Sequence, residues 1–181
     1  LLNKYPKINR YWYNVCIMKT SKKIRVAING FGRIGRAFLK VAVERSELEI
    51  VAVNDLGDIR NMAYLLKYDS VYGTSDLEIS VDDKKPSMTV NGKKIKFLSE
   101  KDPTKLPWKD LNIDVVVEST GIFTSHEKSE VHIEAGAKRV VISAPEKEDH
   151  DGRPHDETVL MGVNEERLKS CTISSNASCT T

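Results

Sequence analysis

Three glycines at Gly30, Gly32 and Gly35, set between a β-branched run and an amphipathic stretch, constrain this chain more than any other feature. The run Ile24–Asn29 (IRVAIN) predicts a buried strand. Beyond it, Ile34, Phe38, Val41 and Ala42 fall on one helical stripe, with Arg36, Lys40 and Glu44 off it. The apolar run Glu49–Val53 then reads as a parallel strand covered on both faces. Strand, helix and strand make a βαβ unit, whose crossover is expected to be right-handed. In that setting each glycine has its own physical task. Gly30 permits a tight turn, Gly32 lets the backbone approach a pyrophosphate, and Gly35 lets helix and strand pack closely. The N–H groups of Arg33 and Ile34 open the helix, where unpaired amides and the helix dipole favour a phosphate.

Asp55 ends the second strand about 20 residues beyond Gly35, where an acid accepts hydrogen bonds from adenosine ribose hydroxyls. A carboxylate there repels a 2′-phosphate, so the expected cofactor is NAD rather than NADP. Alone, the glycines could make only a sharp turn and Asp55 only a helix cap. Their joint placement in a strand–turn–helix context points to a dinucleotide.

The rest of the chain continues the alternation. A helix is expected from about Ile59 to Leu66, then short strands at Leu77–Val81 and Ser87–Val90. Asn91-Gly92 before Lys93–Phe97 signals a hairpin, and so a small antiparallel insertion. Ile113–Val117 and Arg139–Ile142 read as strands. Between them Thr124, with Glu127 three residues on, has capping-box spacing, and Gly136 is a natural stop. Glu146–Glu157 reads as an exposed loop, followed by apolar segments Thr158–Val163 and Cys171–Ser174 around a polar turn, Asn164–Lys169. The fold class is α/β: a Rossmann-type, doubly wound, mainly parallel sheet with an antiparallel insertion.

Composition excludes some functions. A net charge of +2 over 181 residues makes no bulk case for nucleic acid. No apolar run approaches the roughly 18 residues that would suggest a membrane span. Three cysteines, an odd number, suit a reducing compartment better than a disulfide framework. Residues 1–17 lack an initiator methionine and any sustained period, and are expected to be an extension of doubtful origin or disordered, the rival reading being a native arm that packs on the domain or on a partner; Cys16 is given no role. His126, His132, His150 and His155 offer no metal-ligand spacing and are expected on the surface.

The segment Ile24–Arg36 closely resembles the opening of the phosphorylating glyceraldehyde-3-phosphate dehydrogenases. The matches continue in order at Leu65–Gly73 (LLKYDSVYG), Glu118–Thr124 (ESTGIFT), Val141–Pro145 (VISAP), Met161–Asn164 (MGVN) and Ser175–Thr181 (SNASCTT). The resemblance covers residues 23–181, and the last motif surrounds that family's nucleophilic cysteine. It implies a cytoplasmic enzyme that oxidises D-glyceraldehyde 3-phosphate with NAD and inorganic phosphate and is a homotetramer at full length. It also implies an NAD domain over residues 18–175, with 176–181 opening a catalytic domain. Arg33 and Ile34 would then hold the pyrophosphate and Asp55 the ribose. Lys101 would flank the adenine, and Thr120 and Ser143 would lie beside the ribose and nicotinamide. Cys179 would be the nucleophile, with Ser178 and Thr180 donating to phosphate groups, while Cys171 reads as a buried thiol in an apolar strand. With only two residues after Cys179, these 181 residues are expected to bind NAD without turnover. The rival readings are an erythrose-4-phosphate dehydrogenase on the same scaffold and a non-catalytic dinucleotide-binding module.

Overall fold

The computed structural model describes residues 22–82, 84–145 and 156–176. Its strands are β1 (Ile24–Asn29), β2 (Leu48–Asn54), β3 (Tyr68–Asp69), β4 (Gly73–Thr74), β5 (Ile79–Asp82) and β6 (Ser87–Val90). Then come β7 (Lys93–Leu98), β8 (Val115–Glu118), β9 (Arg139–Ile142), β10 (Asp156–Thr158) and β11 (Ile173–Ser175). The helices are α1 (Arg33–Ala42), α2 (Ile59–Lys67) and α3 (His126–Glu134), with 3₁₀ turns at Pro103–Lys105 and Glu165–Lys169. One sheet runs β10-β11-β9-β8-β1-β2-β7-β6-β5, while β3 and β4 form a separate ribbon. Every pairing from β10 to β7 is parallel, and β7-β6-β5 is antiparallel. This is the expected doubly wound sheet with its insertion.

Strand alternation divides the core between the two faces. Val26 and Ile28 of β1 pack with Leu39, Val53, Leu66 and Phe97, whereas Ala27 faces Trp108, Val116 and Ile142. Both faces of β1 are therefore dry, as its unbroken apolar run requires. The Asn91-Gly92 turn between β6 and β7 has φ of 47° and 75°, the left-handed pair that matches strand twist. Asp114 ties three strands at their N-terminal edge. Its carboxylate accepts from Arg25 N at 2.9 Å and Lys138 Nζ at 2.6 Å, and its carbonyl accepts from Arg139 N at 3.0 Å. Burial pushes its carboxyl up, but the lysine and the Arg25 amide outweigh that and hold it below the ordinary range.

The structure corrects several sequence expectations. The buried line of α1 is Gly35, Leu39 and Ala42, with Phe38 half-buried, while Ile34 and Val41 face out at 54% and 57% exposure. The cause is Gly35: a Cβ there would stand 2.1 Å from the Gly30 carbonyl oxygen. Backbone contact at that point sets the rotation of the helix and turns two branched side chains outward. The cap of α3 is Ser125, accepting from Lys128 N at 3.4 Å, so the helix starts one residue later than the spacing from Thr124 suggested. Cys171 is buried but precedes β11 rather than lying in it. The last two residues of the expected loop, Asp156 and Glu157, belong to β10, and Met161 and Val163 are exposed. Residues 1–17 and most of that loop lie outside the described residues.

Two left-handed glycines should respond differently to alanine. Gly92 has open space where a Cβ would go, so Gly92→Ala should cost about 1 kcal/mol of backbone strain. At Gly136 (φ +103°) a Cβ would meet Lys109 Cα at 2.8 Å, so Gly136→Ala should cost about 2–4 kcal/mol. Urea unfolding of the two variants checks the order; equal midpoints would contradict it.

Candidate functional site

The parallel strands end in register. Asn29 pairs with Asn54 on one side and Glu118 on the other, Asn54 with Leu98, and Glu118 with Ile142. Ile142 in turn pairs with Ser175. Gly30, Asp55, Ser119 and Ser143 thus leave the sheet along one edge. From β1 the chain passes through α1 to β2 on one side, while β8 lies on the other. That reversal opens a crevice above the carboxyl ends of β1 and β8, where α/β sheets bind ligands.

Gly30 sits flush against the far wall of this crevice. With φ +90°, its Cβ would stand 2.6 Å from Thr120 N and 2.7 Å from the Ser119 carbonyl carbon. Gly32 is the opposite case, with no atom within 4 Å of a Cβ position. It is also the N-cap residue of α1, so no side chain caps that helix, and its first turn carries no acid. Arg33 and Ile34 are exposed beside it. An approaching anion therefore meets the unshielded start of a helix with its dipole aligned.

Asp55 braces the same loop. Its Oδ2 accepts from Phe31 N at 2.6 Å and its Oδ1 from Gly57 N at 2.8 Å. Arg36 Nη1 donates to the Phe31 carbonyl at 2.8 Å, so Phe31 is held at both its amide and its carbonyl. Each Asp55 oxygen keeps a second lone pair for a hydroxyl. The alternative of Asp55 as a cap does not hold: Asp58 caps α2, accepting from Asn61 N at 2.9 Å. Lys101 is exposed, just past β7. Beside it, hydrogen bonds from the Thr104 hydroxyl and amide hold the Asp102 carboxyl below its usual range.

Thr120 and Ser143 stand across the crevice with their polar groups engaged inside the chain. Thr120 N donates to Glu118 Oε1 at 2.8 Å, its hydroxyl donates to the same oxygen, and that hydroxyl accepts from Ile122 N at 3.0 Å. Ser143 donates both its amide and its hydroxyl to the Glu118 carbonyl, each at 2.9 Å. Ser178, Cys179 and Thr180 lie outside the described residues.

The histidine expectation is overturned where it can be tested. His132 is fully buried and His126 nearly so, both on α3; His150 and His155 lie outside the described residues. Six residues along a helix do not share one face, but α3 is covered widely enough to enclose both. His132 Nε2 lies 3.1 Å from Glu118 Oε2, and Trp108 Nε1 donates to its Nδ1 at 3.1 Å. Glu118 itself, 1% exposed, is the residue sequence reasoning missed. A signal was there: β1, β2 and β8 each close an apolar run on a polar residue, namely Asn29, Asn54 and Glu118. Among the described residues no cluster of histidine, cysteine and carboxylates could hold a metal, and no helix is long and apolar enough to cross a membrane.

Comparison with known proteins agrees with this geometry. Residues 24–126 match the family model described as "Glyceraldehyde 3-phosphate dehydrogenase, NAD binding domain". The chain is 51% identical over 160 residues to glyceraldehyde-3-phosphate dehydrogenase of Thermotoga maritima, covering 87% of this chain and 46% of that protein. It is 49% identical over 160 residues to the Geobacillus stearothermophilus enzyme, covering 87% of this chain and 45% of the relative. The cytosolic enzyme of Trypanosoma brucei brucei is 51% identical over 158 residues, with the same two coverages. The chain thus spans slightly less than half the length of these relatives.

The unequal surroundings of the glycines separate binding from stability. Gly32→Ala should unfold within about 0.5 kcal/mol of the parent yet bind a dinucleotide about tenfold more weakly, because the new methyl occupies the space a pyrophosphate needs. Thermal unfolding with and without dinucleotide distinguishes the two effects. A variant that binds normally would show that the ligand does not approach Gly32.

Proposed function

Because this chain belongs to the glyceraldehyde-3-phosphate dehydrogenase family, matching its NAD-binding domain, we propose that it serves the oxidative phosphorylation of D-glyceraldehyde 3-phosphate to 1,3-bisphosphoglycerate. The cofactor is NAD. The observation that carries the reading is the pairing of an uncapped α1 behind an open Gly32 with an Asp55 carboxylate that retains lone pairs at the same edge.

In this reading the amides of Arg33 and Ile34 hold the pyrophosphate, and Asp55 accepts from the adenosine ribose hydroxyls. Lys101 flanks the adenine. The turn at Thr120 and the start of the segment at Ser143 border the nicotinamide side. When bound, NAD supplies the hydride acceptor. The protein's own chemistry is nucleophilic and belongs to Cys179. Its thiolate adds to the aldehyde carbon to give a hemithioacetal; oxidation leaves a thioester, and phosphate displaces the thiolate as the acyl phosphate forms. The thiolate is needed because a free thiol, with a pKa of about 8.5, is mostly protonated at neutral pH. Ser178 and Thr180 donate hydrogen bonds to phosphate oxygens of substrate or nucleophile. Among the described residues His126 and His132 are taken up in packing, so neither is assigned as a general base to Cys179, and in this reading the 181-residue chain by itself holds NAD without turnover. A homotetramer of the whole protein and a cytoplasmic location complete the proposal.

Calorimetric titration of the 181-residue chain with NAD and NADP tests the reading. Saturable NAD binding, with NADP at least about tenfold weaker, is expected from the carboxylate at the ribose position. Asp55→Ala should abolish binding, because it removes the ribose acceptor and also frees the Phe31 amide. A folded chain that ignores NAD, or one that binds both cofactors alike, would refute the proposal.

A further inference from the structure

Beneath the crevice lies a chain of buried polar groups that the proposed reaction does not use. At one end, Asn54 exchanges two hydrogen bonds with the Glu100 backbone, accepting from its N–H and donating to its carbonyl, each at 2.9 Å. That fixes the Asn54 amide, whose Nδ2 also donates to Asn29 Oδ1 at 2.8 Å. The Asn29 amide is oriented in turn, and its Nδ2 donates to Glu118 Oε2 at 2.6 Å. At the other end stands the Trp108 indole, which can only donate. His132 Nδ1 must therefore accept, so Nε2 carries the ring proton and donates to Glu118 Oε2. Glu118 is where the two ends meet. Its other oxygen receives the Thr120 amide and hydroxyl.

All four groups facing the Glu118 carboxylate are donors, and no water-facing surface supports it. Asn29, Asn54, Glu118, His132 and Trp108 are each at most 6% exposed. Such a network is costly unless every member is satisfied, and here the direction of each proton is set from both ends. What the network holds in place is the turn Ser119–Ile122. The Thr120 hydroxyl bridges Glu118 to Ile122 N, Gly121 takes φ +73°, and Ser119 Oγ donates to the Gly30 carbonyl at 2.7 Å.

We propose that Glu118 is a positioning residue that fixes the Ser119–Ile122 turn as the nicotinamide-side wall of the crevice. The inference rests on the reading of the crevice as the NAD site. Glu118 does not touch the cofactor; it acts through Thr120. The two carboxylate oxygens are not interchangeable with an amide. In Glu118→Gln the new NH₂ must face either the Thr120 amide or the pair from Asn29 and His132, and both are donors. His132 cannot relieve the clash by changing tautomer, because Trp108 already occupies Nδ1.

The test separates the two halves of the cofactor by titrating the purified chain with NAD and with AMP, which carries only the adenosine side. Parent chain that binds neither would overturn the NAD reading, and this inference with it. Given parent binding, Glu118→Gln should weaken NAD about tenfold and leave AMP within about twofold. A purely structural role would weaken both alike, and that result would overturn the inference, as would no effect on either. If Glu118→Gln does not fold, Thr120→Val and Thr120→Ser decide. Valine, lacking the hydroxyl bridge, should reproduce the selective loss of NAD, while serine should restore it. Valine that binds NAD normally, or serine that fails to restore it, would overturn the assignment.

Discussion

The crevice is built on two backbone contacts that only glycine permits. Gly35 brings α1 against the Gly30 carbonyl, and Gly30 brings its own turn against Ser119 and Thr120. No side chain fits at either contact, so helix, loop and β8 turn meet at one fixed spacing. That spacing fixes the start of α1 close to the Ser119–Thr120 turn. It also sets the rotation of the helix, so that Leu39 and Ala42 face the sheet while Ile34 and Val41 do not. The hydrophobic stripe adapts to the glycine contact, since a backbone clash is far stiffer than the loss of some apolar burial.

The crevice needs polar strand ends, and the core beneath it needs to be dry. Asn29, Asn54 and Glu118 reconcile the two demands by satisfying one another across three strands. A carboxylate at 1% exposure would be severely penalised alone, and four donors compensate it. Apolar residues in that row would leave nothing to hold the Thr120 amide and hydroxyl in one orientation. His132 and Trp108 extend the same logic to α3, which has little apolar character of its own and joins the core partly through this histidine.

Much of the fold was legible because its signals are local. β1 and β9 have the bounds read from the sequence, α2 differs by one residue, and the Asn91-Gly92 turn has the geometry its residues demand. Gly136 stops α3 in the left-handed conformation expected of a C-cap. The dinucleotide loop was equally plain, since the glycines and Asp55 announce a strand–turn–helix unit by spacing. The inner face of α1, the burial of His132 and the partners of Glu118 were not legible. The last two depend on partners far along the chain: Trp108 donates to His132 from 24 residues away, and Glu118 meets Asn29 from 89.

The sequence by itself determined the alternation of the main strands and helices, the position of the glycine turn after β1 and the family to which the chain belongs. Those follow from hydrophobic period, turn chemistry and short motifs, all of which act within a few residues. Only the tertiary structure decided which way α1 turns, which residue caps α3, and that an acid given no role and a histidine read as surface are buried together. Burial and hydrogen-bond partnership are properties of the assembled sheet. A side chain's hydrophobicity says what its burial would cost, and only the neighbours brought by the fold say whether that cost is met.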